Sequence, residues 1–372
     1  MRTVISSIIF FFYGIIGLCQ SADEFFNSAI EKERSEDFQG AINDYSAAIE
    51  ISPDNSNFYY ARGYCRQRLE NYEGAINDYS SAIEISPVNS GDYSSRADCK
   101  RKLKDYKGAI SDYNKAIEIS PDNSSDYYFR ASCKELLMDY EGAIIDYSKV
   151  IEMDPNDSDL YYFRANCKYI LGDISSSLKD LDRAIEIEDT KSDYYSYRSE
   201  LLAKHFQEYG LAINDLNIGI DLSPFDWELY YNRGNYKIEV LDFLGAIKDF
   251  NIVIKFNNEH FKSFLNRGVS KEGLEDYRGA ISDYSEAIKL SPKTALAYLN
   301  RGKAKAILHD YENAILDFNQ VITLESDNSK AFLLRGLANV ALDNVNDGCL
   351  DLSKAGELGK TEAYDLIKRL CN

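Results

Sequence analysis

Apolar and small residues recur with helical spacing along nearly the whole chain. Within residues 56–89, the apolar positions from Tyr72 to Ile83 follow one another at steps of three and one. This spacing places them on one face of a helix. A second helical pattern precedes them at about residues 57–69, and Pro87 ends the hairpin. The chain shows no sustained alternation of apolar and polar residues, so the pattern predicts helices and no strands.

An aspartate marks the second helix of each hairpin. It recurs every 34 residues, with one step of 35 between Asp180 and Asp215. The aspartates are Asp44, Asp78, Asp112, Asp146, Asp180, Asp215, Asp249, Asp283, Asp317 and Asp351. A period of this size means that each hairpin buries its apolar face by stacking on its neighbours. The sequence therefore predicts an all-α fold, an α-solenoid of about ten helix-turn-helix repeats with a C-terminal capping helix.

The residues of one repeat resemble the tetratricopeptide repeat family. With Ser56 as position 1, the matching residues are Tyr59 at 4, Gly63 at 8, Ala75 at 20, Tyr79 at 24, Ala82 at 27 and Pro87 at 32. The sequence departs at position 7, which carries Arg in place of the family's Leu. The fifth repeat carries Ser177 and Asp189 where the family has Ala and Pro. The resemblance implies a right-handed solenoid and a protein-binding function.

The repeat register and the N-terminal sequence together suggest domain boundaries. We expect a signal peptide at residues 1–22, a repeat array at 23–362 and a terminal capping helix at 363–372. The repeats are expected near residues 22–55, 56–89, 90–123, 124–157, 158–191, 192–226, 227–260, 261–294, 295–328 and 329–362.

The N-terminus is typical of a secretory signal peptide. Arg2 precedes an apolar stretch from Val4 to Leu18, which is shorter than the roughly 20 residues of a membrane span. We therefore expect an exported protein, periplasmic or secreted, with cleavage after either Cys19 or Ala22. Lipid attachment at Cys19 is an alternative, although the bulky Leu18 directly before it counts against this modification.

The composition is acidic, with 61 Asp and Glu against 42 Lys and Arg. The formal net charge of −19 disfavours nucleic acid and anionic lipid as partners, because phosphate binding needs clustered cations. We expect a protein or peptide partner and no membrane span in the mature chain. The sequence leaves the oligomeric state open.

Arginine also recurs with the repeat. It occupies Arg62, Arg96, Arg130, Arg164, Arg198, Arg233, Arg267, Arg301 and Arg335. Within each hairpin this arginine and the aspartate are equally far from the turn, so antiparallel helices would bring them level. We expect an Arg–Asp ladder, and the alternative is a row that binds anionic ligands.

The cysteines and histidines show no metal motif. Cys65, Cys99, Cys133 and Cys167 share position 10 of four repeats, where we expect them to pack as small apolar residues. Cys349 and Cys371 lie 11 residues either side of Lys360, and we predict a disulfide between them. The alternative is two unpaired thiols. No nucleophile elbow, phosphate-binding loop or cofactor motif is present, so we expect no enzyme and no cofactor.

The resemblance implies that positions 2, 5, 6, 9, 12 and 13 of each first helix line a concave groove. The candidate peptide-binding residues at positions 5, 6 and 9 are Tyr60, Tyr64, Tyr128, Phe129, Tyr162, Phe163, Asn166, Tyr231, Asn232, Asn235, Asn266 and Asn300. Aromatic rings provide contact area and amides bond a peptide backbone. In the alternative interpretation, these tyrosines pack against neighbouring repeats.

We therefore expect an exported, non-enzymatic interaction scaffold that binds a peptide or protein in this groove. A second hypothesis is a structural component of a cell-envelope or secretion assembly, which would use the convex face or the ends.

Overall fold

The structure is a computed structural model that describes residues 21–371. These residues form twenty-one α-helices, and no strand occurs among them. They divide into two compact units between Ile187 and Glu188. The predicted all-α fold of stacked helical hairpins is confirmed. The predicted signal peptide, including Cys19, lies outside the described residues except for its last two, Ser21 and Ala22.

The first unit contains ten helices that pack as five consecutive pairs. They are α1 (Ala22–Arg34), α2 (Phe38–Ile51), α3 (Ser56–Arg68), α4 (Tyr72–Ile85), α5 (Ser90–Lys102), α6 (Tyr106–Ile119), α7 (Ser124–Leu136), α8 (Tyr140–Met153), α9 (Ser158–Ile170) and α10 (Ile174–Ile187). We number these pairs repeats 1 to 5. The second helix of each of repeats 1 to 4 also packs against the first helix of the next repeat.

The second unit contains five further pairs, repeats 6 to 10, and a final single helix. The helices are α11 (Ser192–Phe206), α12 (Tyr209–Leu222), α13 (Trp227–Glu239), α14 (Phe243–Phe256), α15 (Phe261–Gly273), α16 (Tyr277–Leu290), α17 (Ala295–Ile307), α18 (Tyr311–Leu324), α19 (Ser329–Ala341), α20 (Val345–Glu357) and α21 (Glu362–Leu370). The last helix packs against α20.

Side-chain caps start most of the helices. The Asn55 side chain accepts from the backbone N–H of Asn57 at the start of α3, and the Asp105 side chain accepts from Gly108 at the start of α6. Such caps satisfy amides that have no partner inside the helix, and each contributes about 1 kcal/mol. The caps recur with the repeat, so the turn geometry recurs as well.

Small residues at the helix crossings let the helices approach closely. Ala75, Ala82 and Tyr79 of α4 are fully buried. At Gly268 of α15, an added Cβ would lie 2.6 Å from the Tyr284 ring of α16. Glycine is therefore required by this approach, although it lowers helix propensity by about 1 kcal/mol relative to alanine.

The extra residue of repeat 6 lengthens its first helix. α11 spans 15 residues, whereas α3 spans 13. Gln207, directly after α11, takes a left-handed backbone conformation with φ of 57°. The insertion therefore lies next to the turn between α11 and α12.

Candidate binding face on the first helices

The recurrent arginines belong to the fold. In each of the nine repeats, the guanidinium donates to the repeat's aspartate, as Arg62 Nη2 does to Asp78 Oδ1 at 2.7 Å. The same guanidinium reaches the preceding repeat, where Arg62 Nη1 donates to Ser46 Oγ at 3.0 Å. The aspartates are buried, and Asp78 is only 2% exposed. The arginine row therefore ties hairpins together within and between repeats.

The twelve predicted groove residues all lie half-buried on first helices. In the first unit their rings pack on the core. The Tyr128 ring lies 6.2 Å from Phe163 of the next repeat, and Phe163 stacks on Tyr147 at 5.9 Å. The Tyr60 ring lies 5.6 Å from Tyr79. These rings pack against the repeats and still keep an exposed edge, so the two alternatives for the tyrosines are not exclusive.

The amides on this face bond to one another and to acids of neighbouring repeats. Asn166 Nδ2 donates to Glu135 Oε1 at 3.1 Å. In the second unit, Asn266 Nδ2 donates to Asn235 Oδ1 at 2.7 Å. The Tyr231 ring lies 4.8 Å from His260. The structure therefore brings the predicted residues together in groups from adjacent repeats.

Buried tyrosine hydroxyls also reach this face. Tyr147 OH donates to Glu135 Oε2 at 3.0 Å, and Tyr284 OH donates to Glu272 Oε2 at 2.8 Å. Burial is the larger cause and the neighbouring glutamate the second; together they raise the pKa of both phenols far above its ordinary value. The phenols stay protonated and act as donors.

Two cavities beside the first helices are lined mostly by residues outside the predicted set. One, of about 210 Å³, is lined by Ser124, Ser125, Tyr128, Phe129, Val150, Asp154, Asp157 and Leu160. The other, of about 330 Å³, is lined by Lys303, Ala306, Ile307, Tyr311, Leu334, Leu337, Ala338 and Ala341. The sequence carries one signal for each cavity. For the first it is the carboxylates at positions 31 and 34 of repeat 4, and for the second it is the leucines at positions 6 and 9 of repeat 10.

The four cysteine thiols at position 10 have low reactivity. Cys65, Cys99, Cys133 and Cys167 are buried. Burial raises the pKa of Cys65 to about 12, so the nucleophilic thiolate is scarce at neutral pH. Among residues 21–371, no group of His, Cys, Asp and Glu is arranged to hold a metal ion.

The structure joins Cys349 of α20 to Cys371 after α21 by a disulfide, with a Cα–Cα distance of 6.0 Å. Gly359, in the turn between these helices, has φ of 95°. Whether the bond forms in the native compartment stays a prediction. No helix between residues 21 and 371 is both long and apolar enough to cross a membrane.

Two family models match the chain. The model described as TPR repeat matches residues 34–70 and 274–306. The model described as tetratricopeptide repeat matches residues 56–89, 93–123, 127–157 and 295–328. No curated protein matches the sequence.

Solved structures are similar to parts of this chain at low identity. The C-terminal part of a TPR repeat-containing protein from Cytophaga hutchinsonii is 21% identical, with a TM-score of 0.55 over 64% of this chain and 98% of its own. A tetratricopeptide repeat protein from Parabacteroides merdae is 18% identical, with a TM-score of 0.49 over 67% and 99%. YrrB, described as a TPR protein with an unusual peptide-binding site, is 22% identical, with a TM-score of 0.46 over 50% and 95%.

The family-model matches, the Cytophaga fold and the ten helix pairs agree with the repeat motif in the sequence. This chain is a tetratricopeptide repeat protein.

Proposed function

We propose that this protein is an exported, non-enzymatic scaffold that binds a protein or peptide partner across the groove lined by its first helices. The tetratricopeptide fold is typical of protein–protein interaction, which supports the binding role. The observation that carries the proposal is the contrast between two rows on the same helices. The arginine guanidiniums are paired with buried aspartates, whereas the tyrosines and asparagines at positions 5, 6 and 9 are uncharged, contact the repeats and keep part of their surface exposed.

This set of side chains suits an extended peptide. Half-buried rings such as Tyr128 and Tyr162 add apolar contact with little loss of side-chain entropy. Amides such as Asn235 and Asn266 already form a hydrogen-bonded pair, and their remaining donors and acceptors match a peptide backbone.

The second hypothesis, a structural part of an envelope or secretion assembly, is favoured by a different observation. Large apolar residues on second helices are exposed, including Ile145 at 68% and Leu350 at 70%. Leu316 occupies the same position in its repeat and is also exposed. Exposed apolar residues in successive repeats of one unit, such as Leu316 and Leu350, can form a contact surface for another protein.

Matched variants separate the two hypotheses. A partner is first captured with the purified protein from the native host and identified. Its affinity is then measured for Tyr128→Ala with Tyr162→Ala, and for Ile145→Ala with Leu316→Ala. We expect the first pair to weaken binding about tenfold or more, since each ring loses buried contact area. The second pair should leave affinity unchanged.

The reverse pattern would move the binding surface to the second helices and support the structural hypothesis. Circular dichroism of each variant controls for folding. A global loss of helicity in the tyrosine variant would assign these rings to the core.

Export has its own test. We expect N-terminal sequencing of the protein from its host to begin at Gln20 or at Asp23. A cytoplasmic protein that retains Met1 would contradict export and leave the binding proposal unaffected.

A further inference from the structure

A small cavity lies where repeat 4 meets repeat 5. The first turn of α7 forms one wall with Ser124, Ser125 and Tyr128, and the loop between α8 and α9 forms the other with Asp154 and Asp157. Its volume of about 210 Å³ is below the range of about 300–1,000 Å³ that is usual for drug-sized ligands. The space therefore suits one amino-acid side chain.

The lining changes from apolar to acidic. Val150 and Leu160 are 6% and 2% exposed and provide an aliphatic floor. The half-buried Tyr128 also lines the cavity, and Asp154 and Asp157 are exposed to solvent. A long cationic side chain matches this order, because its methylenes pack on apolar surface while its charge stays near water and anions.

The surroundings favour a cation over an anion. None of the described residues that line the cavity is Lys or Arg. Burial, and then the negative charges of Asp159 and Asp157, raise the pKa of the Tyr128 phenol. The neighbouring ring, Phe129, already carries a cation on its face, since the Arg101 guanidinium lies 4.4 Å from the ring centroid. The charge of Arg101 is compensated by Asp98 at 3.2 Å.

The two carboxylates depart from the three preceding repeats. Positions 31 and 34 carry Ser52 and Asn55, Ser86 and Asn89, and Ser120 and Asn123 in the three preceding repeats. Asn55 caps its helix by accepting from a backbone N–H at 3.1 Å, and Asp157 does the same at 3.0 Å. Asp154 likewise accepts from the backbone N–H of Asn156 at 3.2 Å. Serine and asparagine fill these positions in the preceding repeats, so the two aspartates add negative charge that the local structure does not require.

We infer that this cavity receives a single lysine or arginine side chain of the partner. The inference rests on the proposed binding function and gives the partner's chemistry: a segment with a basic residue at the point of contact. The charge of the unit agrees, because residues 21–187 hold 32 Asp and Glu against 19 Lys and Arg. Such a field speeds the encounter with a basic partner and repels an acidic one.

A peptide titration tests the inference. The probes are acetyl-Gly-Ser-Lys-Ser-Gly-amide and the same peptide with glutamine or norleucine in place of lysine. Binding to the whole protein is followed by NMR at the methyl groups of Val150 and Leu160. We expect the lysine peptide to shift these methyl signals and to bind about tenfold more tightly than the other two peptides, with affinity falling as salt is added.

The preceding repeats of this chain indicate which substitutions to make. Asp154→Ser with Asp157→Asn gives this junction the residues of the preceding repeats, so the cap and the fold are kept. We expect this variant to lose about tenfold in affinity for the lysine peptide, because two exposed ion pairs are removed. The matched control, Glu73→Gln with Glu141→Gln, removes two exposed charges away from the cavity and should change affinity less than twofold.

Three results would overturn the inference. They are equal affinity for the lysine and norleucine peptides, an equal loss in the control variant, and titration without any shift at Val150 or Leu160. If the captured partner still depends on Tyr162 but not on Asp154 and Asp157, the binding function stands and this inference fails. If the lysine peptide binds as expected while the partner ignores the first helices, the proposed function fails instead.

Discussion

The two units fill the same core position with different residues. Position 24, on the second helix, is tyrosine in four repeats of the first unit and in one repeat of the second. The tyrosines are Tyr45, Tyr79, Tyr113, Tyr147 and Tyr284, and each is buried. The second unit otherwise uses Leu216, Phe250, Phe318 and Leu352. Relative to Phe250 and Phe318, each tyrosine adds one hydroxyl group to the core of its repeat.

That hydroxyl group decides what the first helix carries. Each buried phenol donates to a polar side chain at position 9 or 12. The acceptors are Glu33, Gln67, Asp98, Glu135 and Glu272. Where the core residue is Phe250, Phe318 or Leu352, position 12 holds Ile238, Ala306 or Val340. A buried hydroxyl without a partner costs about 1–3 kcal/mol, so the phenol requires an acceptor.

The comparison links core and surface. A tyrosine core is accompanied by a polar acceptor on the first helix, which is an acid in four of the five repeats. A phenylalanine or leucine core permits an apolar face such as the cavity lined by Leu334 and Leu337. The balance of charge follows the same direction. Residues 21–187 hold 32 acids against 19 bases, and residues 188–372 hold 29 against 22.

The ladder gives the largest expected effect and a direct contrast between units. Asp180 binds Arg164 and also Lys168 at 2.7 Å, whereas repeat 6 has Leu202 in place of that lysine. We expect Arg198→Met to lower the free energy of unfolding by about 3–5 kcal/mol, because Asp215 is left buried without its guanidinium.

Arg164→Met should cost less than Arg198→Met, since Lys168 still faces Asp180. Replacing both Arg164 and Asp180 by apolar residues should be milder than the single change. Urea unfolding, with hydrogen exchange to locate the loss, measures all three variants. A neutral effect of both single changes would reduce the ladder to a surface feature.

The ends of the units differ in how they are closed. Ser21 and Glu24 form a capping box at the start of α1, whereas a disulfide closes the end of α21. We expect Cys371→Ser to lower stability by about 3 kcal/mol in oxidising conditions, because the bond restricts the unfolded chain.

Alkylation of the unfolded, unreduced protein followed by mass spectrometry checks the bond itself. Label on Cys65 but not on Cys349 or Cys371 is the expected pattern. Label on all three would leave two unpaired thiols and end the proposal.

The phenol and its acceptor can be exchanged as a pair. Glu135→Ile should destabilise the protein by about 1–3 kcal/mol, because the Tyr147 hydroxyl loses its acceptor. Adding Tyr147→Phe should recover most of this loss, since Phe250 and Ile238 already form that combination in repeat 7. Thermal or urea unfolding of both variants measures their stability. An equal cost for the single and the double variant would break the link between core and face.

The smallest effect concerns a buried acid at position 3, where the second unit has no acid. Position 3 holds Asp92 in repeat 3, where repeats 7 and 9 hold Leu229 and Ala297. Asp92 is fully buried, Asn89 donates to its Oδ1 at 3.0 Å, and its Oδ2 has no partner. Burial raises the pKa of Asp92 to about 6, above its ordinary value of about 3.9.

The raised pKa of Asp92 sets the direction in which stability changes with pH. The folded state holds this proton more tightly than the unfolded state, so stability falls as pH rises from about 4 through 6. Asp92→Asn should raise stability at pH 7.5 by about 1–2 kcal/mol and flatten that dependence. Unfolding at pH 4.5 and 7.5 measures both. A variant less stable than the parent at pH 7.5 would show that the carboxylate is matched to its site.

Part of the candidate site could be predicted and part could not. The positions of Tyr128, Tyr162 and Asn266 on first helices follow from the 34-residue register. The cavity between Tyr128 and Asp157 does not, because its volume depends on how two repeats pack. The pairing of Tyr147 with Glu135 was also missed, since it joins side chains on two helices that only the packed hairpin brings together.

The sequence by itself determined the repeat, the helices and the Arg–Asp ladder. These features depend on spacing along one hairpin, where two residues equidistant from a turn must meet. Arg164 and Asp180 are such a pair. Only the tertiary structure decided which first-helix residues are used by the core and which remain half-buried. That outcome depends on contacts between repeats, such as Asn166 with Glu135, because exposure belongs to a packed surface and not to a position in a repeat.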